Sequence, residues 1–460
     1  MKTKLFLTLF ALMGMLLFSA AAHADELTDL RAKIAAAGAS WTAGETSMTH
    51  YTAEEMSEFL KLDLSLPDNW EDYVENTRSF DPPVDMPDHL DWRDVDGRDF
   101  STPVKDQHPC GTCQTFCFAA AVEALIKITR DNEFIVPDLS EQHVYSCDGP
   151  VPYTLFHPAI YMEGSGAADE ACMPYSCDTG YRQACGEKCG DWQDRSVNIS
   201  GWKMYMFPDP ETIKGLLQYG PIVAGFQVFA DFRDYTGGVY EHVTGGLLGG
   251  HGVAIFGYGE DEGGGYWICK NSWGLDWGED GWFKIRWGSG LLGFGYQSMA
   301  INVTADSLCA RNVAPAISGL TLDNEADLAD GAAPVIGFDY ADLNANLAGG
   351  ELWYSYDGEP ERRYGTPLTE CVDTLSDGKN IGGFTLDAPA SSAAEHTLTV
   401  WVRDLCGADS NDLSTTFSTG ASPVDDDDDA SDDDDDDDDD DFGAPAEGGD
   451  DDDDDGGCGC

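Results

Sequence analysis

Apolar and polar positions follow different periods in successive stretches of this 460-residue chain. Leu5 to Leu17 is a largely apolar run, preceded by Lys2 and Lys4 and followed by small residues ending in Ala22-His23-Ala24. A positive start, a short apolar run and an A-x-A site predict a cleaved export signal over 1–24, and the run is short for a bilayer span. Asp25–Ala37 and Ala53–Leu62 carry apolar residues at helical spacing and predict two helices. The Pro-bearing stretch Asp81-Pro82-Pro83-Val84-Asp85-Met86-Pro87 reads as a linker. A run of good helix formers follows Cys113, and the apolar run after His251 has the look of a buried strand. Farther on, short runs at Ala333–Tyr340, Glu351–Tyr356 and His396–Val402 alternate with Gly/Asp/Asn turns, which predicts an all-β sandwich. The boundaries that follow are 1–24 (signal), 25–85 (N-terminal extension), 86–303 (central domain), 304–420 (β-sandwich) and 421–460 (tail).

Charge and cysteine use narrow the picture. The formal net charge is -60, from 85 acidic and 25 basic residues. Such a surface repels nucleic acid and anionic membrane, which excludes both as partners. The Asp-rich tail cannot collapse into a core and is expected to be disordered. Export permits disulfides, and 14 cysteines fit that setting. Cys309, Cys371 and Cys406 can supply one bridge to the β domain, with the pairing open. Cys458 and Cys460 are the last cysteines of the sequence, and attachment to the cell surface or to another chain is their expected use.

The candidate chemistry is concentrated in 86–303. In Gln107-His108-Pro109-Cys110-Gly111-Thr112-Cys113 a glycine-bearing turn delivers Cys113 onto the start of a helix. The helix dipole lowers the pKa of a thiol placed there, and the thiolate is the useful nucleophile. His251 is the candidate general base. Asn271, in Lys270-Asn271-Ser272-Trp273-Gly274, can accept from one ring nitrogen and orient the other towards sulfur, with Trp273 shielding that bond. The Gln107 amide and the Cys113 backbone N–H are a candidate oxyanion hole. None of this needs a metal or cofactor, and none is expected.

At these residues the chain resembles papain-family cysteine peptidases. The matching segments stand in the family's order: Asp91-Trp92-Arg93, Pro103-Val104-Lys105-Asp106-Gln107, Cys110-Gly111-Thr112-Cys113, Leu139-Ser140-Glu141-Gln142, the His251 strand and Lys270-Asn271-Ser272-Trp273-Gly274. His251 follows Cys113 by 138 residues, within the roughly 130–150 of such enzymes. Gly238-Val239-Tyr240-Glu241-His242-Val243-Thr244-Gly245 is most similar to the cathepsin B type. The resemblance implies an α+β, two-lobed papain-like fold, here followed by an immunoglobulin-like β-sandwich. It implies a helical lobe carrying Cys113, a β-rich lobe carrying His251 and Asn271, and hydrolysis through a thioester. It also makes Gly111, Trp273 and Gln297 candidate substrate contacts, with Gln297 where cathepsin B has an acid.

Three departures qualify the resemblance. Gln114 stands where Trp is usual, and Thr115 and Cys117 stand where Ala and Ser are usual. The family's Gly-Cys-x-Gly-Gly segment is missing, so Cys110 is expected to pair elsewhere, with Cys147 as one option, or to stay free. The region Cys172 to Cys189 is short and lacks the paired histidines of cathepsin B, which implies an endopeptidase with an open cleft. Cys147–Cys185 and Cys172–Cys189 are the preferred bridges there, and export favours them over a zinc site. Residues 25–85 sit where the family carries an inhibitory propeptide, and release is expected near Ser79–Asp88. The expected product is a secreted or cell-surface monomer acting on protein or peptide substrates. The rival class is a catalytically silent relative that binds through its β domain.

Overall fold

The computed structural model describes residues 25–420 except 66–84, 134, 136, 150–153, 178–182, 289–296, 310–312, 325–326, 330, 343–346, 348–349, 366–367, 369–378 and 391–394. The expected signal, the Asp-rich tail, Cys371, Cys458, Cys460 and most of the expected release stretch lie outside the described residues. The rest forms two compact units, one running to Val313 and the other starting at Ala314.

In the first unit a long helix and a large sheet divide the work. Helix α3 (Cys113–Thr129) is buried along nearly its whole length. Its Ala119-Ala120-Ala121 run and Leu125 are strong helix formers that fit a crowded interior. Two shorter helices, α4 (Glu141–Cys147) and α5 (Phe156–Gly164), pack against it. Ser140 caps α4, accepting from the His143 amide at 2.9 Å. The sheet follows the order β1 (Trp41–Ala43), β5 (Tyr235–Tyr240), β8 (Trp282–Arg286), β7 (Gly264–Lys270), β6 (Leu247–Asp261), β4 (Ile222–Phe229), β9 (Gln297–Asn302), β3 (Gly201–Met206). Its centre is β6 (Leu247–Asp261), flanked by β4 (Ile222–Phe229) and β7 (Gly264–Lys270). Both neighbours are antiparallel to β6, and nine consecutive β6 residues are buried. The expectation of a buried strand at His251 is met.

The N-terminal extension is part of this unit. Helix α1 (25–37) buries Leu27, Leu30 and Ile34, one face at helical spacing. Strand β1 (Trp41–Ala43) adds to the edge of the sheet against β5 (Tyr235–Tyr240). At Gly238 (φ 85°) a side chain would strike Ser40 and Trp41, so only glycine lets β1 approach. Helix α2 (Ala53–Phe59) starts with a capping box between Thr52 and Glu55. The sequence expectation carried this helix to Leu62, but the chain turns extended after Phe59. Leu60 and Leu62 are drawn out along β6, where Lys61 bridges Gly250. Their burial against the sheet outweighs the weak local helix preference.

Among the described residues the second unit is all β. A three-stranded sheet has the order β10 (Ala316–Leu322), β12 (Val335–Ala341), β15 (Lys379–Thr385), and a five-stranded one β11 (Asp327–Leu328), β17 (Leu413–Thr419), β16 (Glu395–Arg403), β13 (Glu351–Tyr356), β14 (Arg362–Arg363). Alternate residues point inward: Leu352, Tyr354 and Tyr356 on β13 (Glu351–Tyr356), Leu398, Val400 and Val402 on β16 (Glu395–Arg403). Tyr364 packs edge-on against Phe384 of the smaller sheet, with centroids 5.5 Å apart. Cys309 and Cys406 are both disulfide-bonded. No helix among the described residues is long and apolar enough to cross a membrane.

Candidate active site

Cys113 is the first residue of α3. Thr112 caps the helix without a side-chain hydrogen bond, so the amides of the first turn point at whatever stands in front of them. His251 lies on β6 opposite Phe226 of β4, and the next residue, Gly252, packs on the Cys113 carbonyl. Asn271 follows directly on β7. Its Oδ1 is 2.8 Å from His251 Nε2 and also accepts from the Ser272 amide at 2.9 Å. Holding Nε2 as the donor leaves Nδ1 as the basic nitrogen, and Nδ1 is buried without a hydrogen bond. Trp273 lies over the imidazole, centroids 5.0 Å apart, fully buried among Phe232 and Trp277.

Gln107 is fixed from three sides. Ser272 Oγ donates to its Oε1 at 2.7 Å, its Nε2 donates to the Cys110 carbonyl at 2.8 Å, and its amide donates to the Ser272 carbonyl. The segment before it is tied down by buried charge. Lys105 Nζ meets Glu123, Asp138 and Glu141 within 3.0 Å, while Lys270 donates to Thr102. Thus the chain preceding Gln107 and the chain preceding Asn271 are moored to one another. Sequence reasoning missed Ser272 and this mooring, although Lys105, Glu141 and Lys270 all stand inside the segments that carry the family resemblance.

Cys110 does pair elsewhere, but with Cys177 rather than Cys147, and it is not free. Without a Gly-Cys-x-Gly-Gly segment, the stretch Pro174-Tyr175-Ser176-Cys177 crosses to the loop that carries Cys110 and Cys113 instead. Tyr175 Oη donates to the Gln107 carbonyl at 2.7 Å and is 2.8 Å from Thr112 Oγ1, and its ring packs edge-on against Phe116. Cys147–Cys185 and Cys172–Cys189 form as expected.

The site is covered. Cys113 and His251 are both 0% exposed. Phe59 O lies 3.5 Å from Gln107 Nε2, and Gln297 Nε2 donates to Leu64 O at 2.8 Å. A Cβ on Gly249 or Gly250 would collide with the Leu60 and Leu62 carbonyls, and one on Gly111 would sit 2.9 Å from Glu58 O. The side chains of Leu62, Leu64 and Leu155 converge on Gly225. Gly111 and Gln297 therefore both touch the covering segment, Glu58 to Leu64, while Trp273 lies behind His251.

Covering reverses one expectation. The helix start predicts an acidic thiol, but burial pushes Cys113 up to about 12, against the lowering effect of the backbone amides of Gly252 and Gln114. Its hydrogen-bond acceptor is Gln114 Oε1 at 3.9 Å. Burial likewise lowers His251 to about 4, against the supporting bond from Asn271. The closed site thus holds a neutral thiol and a neutral imidazole. Because the closed-state imidazole titrates below its ordinary 6.5, the stability this gives the closed form is present above pH 6.5 and lost as the pH falls to about 4, a loss of up to about 3 kcal/mol. Residues 58–65 are therefore expected to become at least tenfold more sensitive to an added acid-tolerant protease between pH 7 and 4.5. A flat or opposite profile would contradict a cover that seals a neutral imidazole.

Comparison with known proteins agrees with this geometry. Residues 86–303 match the model of the papain family cysteine protease. Cathepsin B-like CP3 of Giardia intestinalis is 36% identical over 198 residues, 40% of this chain and 63% of the relative. Cathepsin B-like CP2 of the same organism is 35% identical over 209 residues, 44% of this chain and 69% of the relative. The chain thus spans just under two thirds of CP3's length and just over two thirds of CP2's. Among solved structures, a digestive procathepsin L2 proteinase from the larval midgut of Tenebrio molitor superposes with a TM-score of 0.50 and 25% identity, over 61% of this chain and 89% of that one. Motif order, lobes, covered cleft and relatives agree: this chain belongs to the papain family of cysteine proteases.

Proposed function

We propose that the chain is the latent precursor of a secreted cysteine endopeptidase, with Cys113 as nucleophile, His251 as acid and base, Asn271 as the group that orients it, and Gln107 with the Cys113 N–H as oxyanion hole. Once residues 25–85 are removed, water enters, and the burial that held thiol and imidazole neutral is relieved. The Cys113 proton passes to His251 Nδ1, and the thiolate attacks the substrate carbonyl carbon. Negative charge on the carbonyl oxygen falls to Gln107 Nε2 and the Cys113 amide. The tetrahedral adduct expels the amine, which takes the proton from Nδ1 and leaves a thioester. His251 then draws a proton from water, the hydroxide displaces the thiolate, and the site is restored.

The observation that carries this reading is the 2.8 Å bond from His251 Nε2 to Asn271, which leaves Nδ1 basic and without a bond on the residue next to Gly252, itself packed against Cys113 at its helix start. The test is alkylation with a thiol-directed peptidyl electrophile before and after processing. Adduct mapping is expected to find Cys113 labelled only in the processed form, together with the onset of peptide hydrolysis. If processed protein neither hydrolyses peptides nor labels at Cys113, the enzyme reading fails and the binding-protein class takes its place.

A further inference from the structure

His108 stands next to Gln107 on the rim of the covered site. Its Nδ1 is hydrogen-bonded to Asp106, which fixes the ring, and its Nε2 is buried without a partner. The rings that pack on it belong to the N-terminal extension that carries the cover. Tyr51 lies parallel to it at 5.6 Å between centroids, and Phe59 stands edge-on at 4.9 Å. The Phe59 carbonyl meanwhile points at Gln107 Nε2, 3.5 Å away. The cover therefore presents a backbone carbonyl to the oxyanion amide and an aromatic side chain to His108 from one residue.

The geometry points to an aromatic-selective subsite formed by His108, on the Gln107 side of the nucleophile, in which a substrate Phe or Tyr takes the place that Phe59 holds in the closed form. This rests on the peptidase reading above. Two features make the imidazole a built wall. Asp106 orients it, so little rotamer freedom is lost on binding. Removal of the cover bares a ring face and a polar ring edge together, a surface that favours aromatic over aliphatic side chains. The opposite end of the cleft differs, because Leu62 and Leu64 converge there on Gly225 and Gln297 binds a backbone carbonyl.

The test uses processed protein and a set of quenched octapeptides of one sequence in which a single Phe, or Ala as its control, is moved through the positions around the scissile bond. One register is expected to show kcat/KM for Phe over Ala of about three- to tenfold. In His108→Ala that ratio falls to near one. His108→Gln, which keeps a hydrogen bond to Asp106 without a ring, is expected to lose the preference likewise, so misfolding of one variant does not decide the matter. A Phe preference that persists in both variants, or no preference at any register in the parent, overturns the subsite while leaving the peptidase reading intact. Failure of the parent to cleave every peptide overturns both.

Discussion

Replacing Cys113 with alanine is expected to lower kcat/KM for peptide hydrolysis by about 10⁴- to 10⁶-fold, because no neighbouring group can take over as nucleophile. Cys117 lies one helical turn on and is buried, with its thiol donating to the Gln114 carbonyl at 3.3 Å. Burial holds it well above the usual thiol range. The hydroxyl of Ser272 is committed to Gln107. Structurally the change is small, since one sulfur atom leaves a site lined mainly by backbone. A loss of about 1 kcal/mol is expected, a shift of the thermal midpoint by a few degrees at most. Steady-state rates beside a thermal melt make the comparison, and residual activity above one part in a thousand with the fold intact would show that another residue is the nucleophile.

Leu62→Glu in the full chain is expected to raise the rate of Cys113 alkylation by about 10²- to 10³-fold. Leu62 is 4% exposed, its side chain faces Gly225, and its amide donates to the Gly250 carbonyl. Glutamate there forfeits apolar burial and places a carboxylate in the covered cleft without a cation. Taking about 3–4 kcal/mol from the closed form multiplies the open population by the factor given. The anchors α1, β1 and α2 pack separately and remain, so the lesion is local. An alkylation rate equal to the parent's would mean that residues 60–64 do not control access. A rate increase accompanied by global melting would assign the effect to unfolding instead.

The sequence exposed the candidate chemistry more fully than the architecture around it. Cys113, His251, Asn271 and Gln107 were legible because each sits in a short motif whose residue types suit a local role, whether a helix start, a buried strand or a strand end. The β unit was legible from a change of period, and the two lobes from the family resemblance of the motifs. What escaped had no local signature. Ser272 and Tyr175 act on Gln107 from 165 and 68 residues away, and only the closed fold brings them there. Cys177 was one of several possible partners for Cys110, since spacing does not choose among cysteines. The break of α2 at Phe59 arises because Gly249 and Gly250 give the next residues a better place along β6 than another helical turn. The acidity of the thiol was misjudged for the same reason. The helix start is local and visible, whereas the lid that dries the site comes from a segment about fifty residues earlier in the chain.

The edge position of β1 sets the terms on which the cover can be lost. Trp41 packs on Tyr235 and Tyr240 with centroids 6.3 and 5.2 Å apart, and the strand shares the sheet with β5. A single cut after Leu64 breaks no contact among these. It converts an internal segment into a separate peptide still seated on its receptor, whose local concentration drops from the millimolar range of a short tether to that of the protein itself. Hydrolysis by a nicked sample should then follow mass action: low in a concentrated stock, rising with dilution below the peptide's dissociation constant, and falling again when synthetic 25–65 peptide is added back. The trigger is cleavage, but the dose of activity is set by how far the two pieces drift apart.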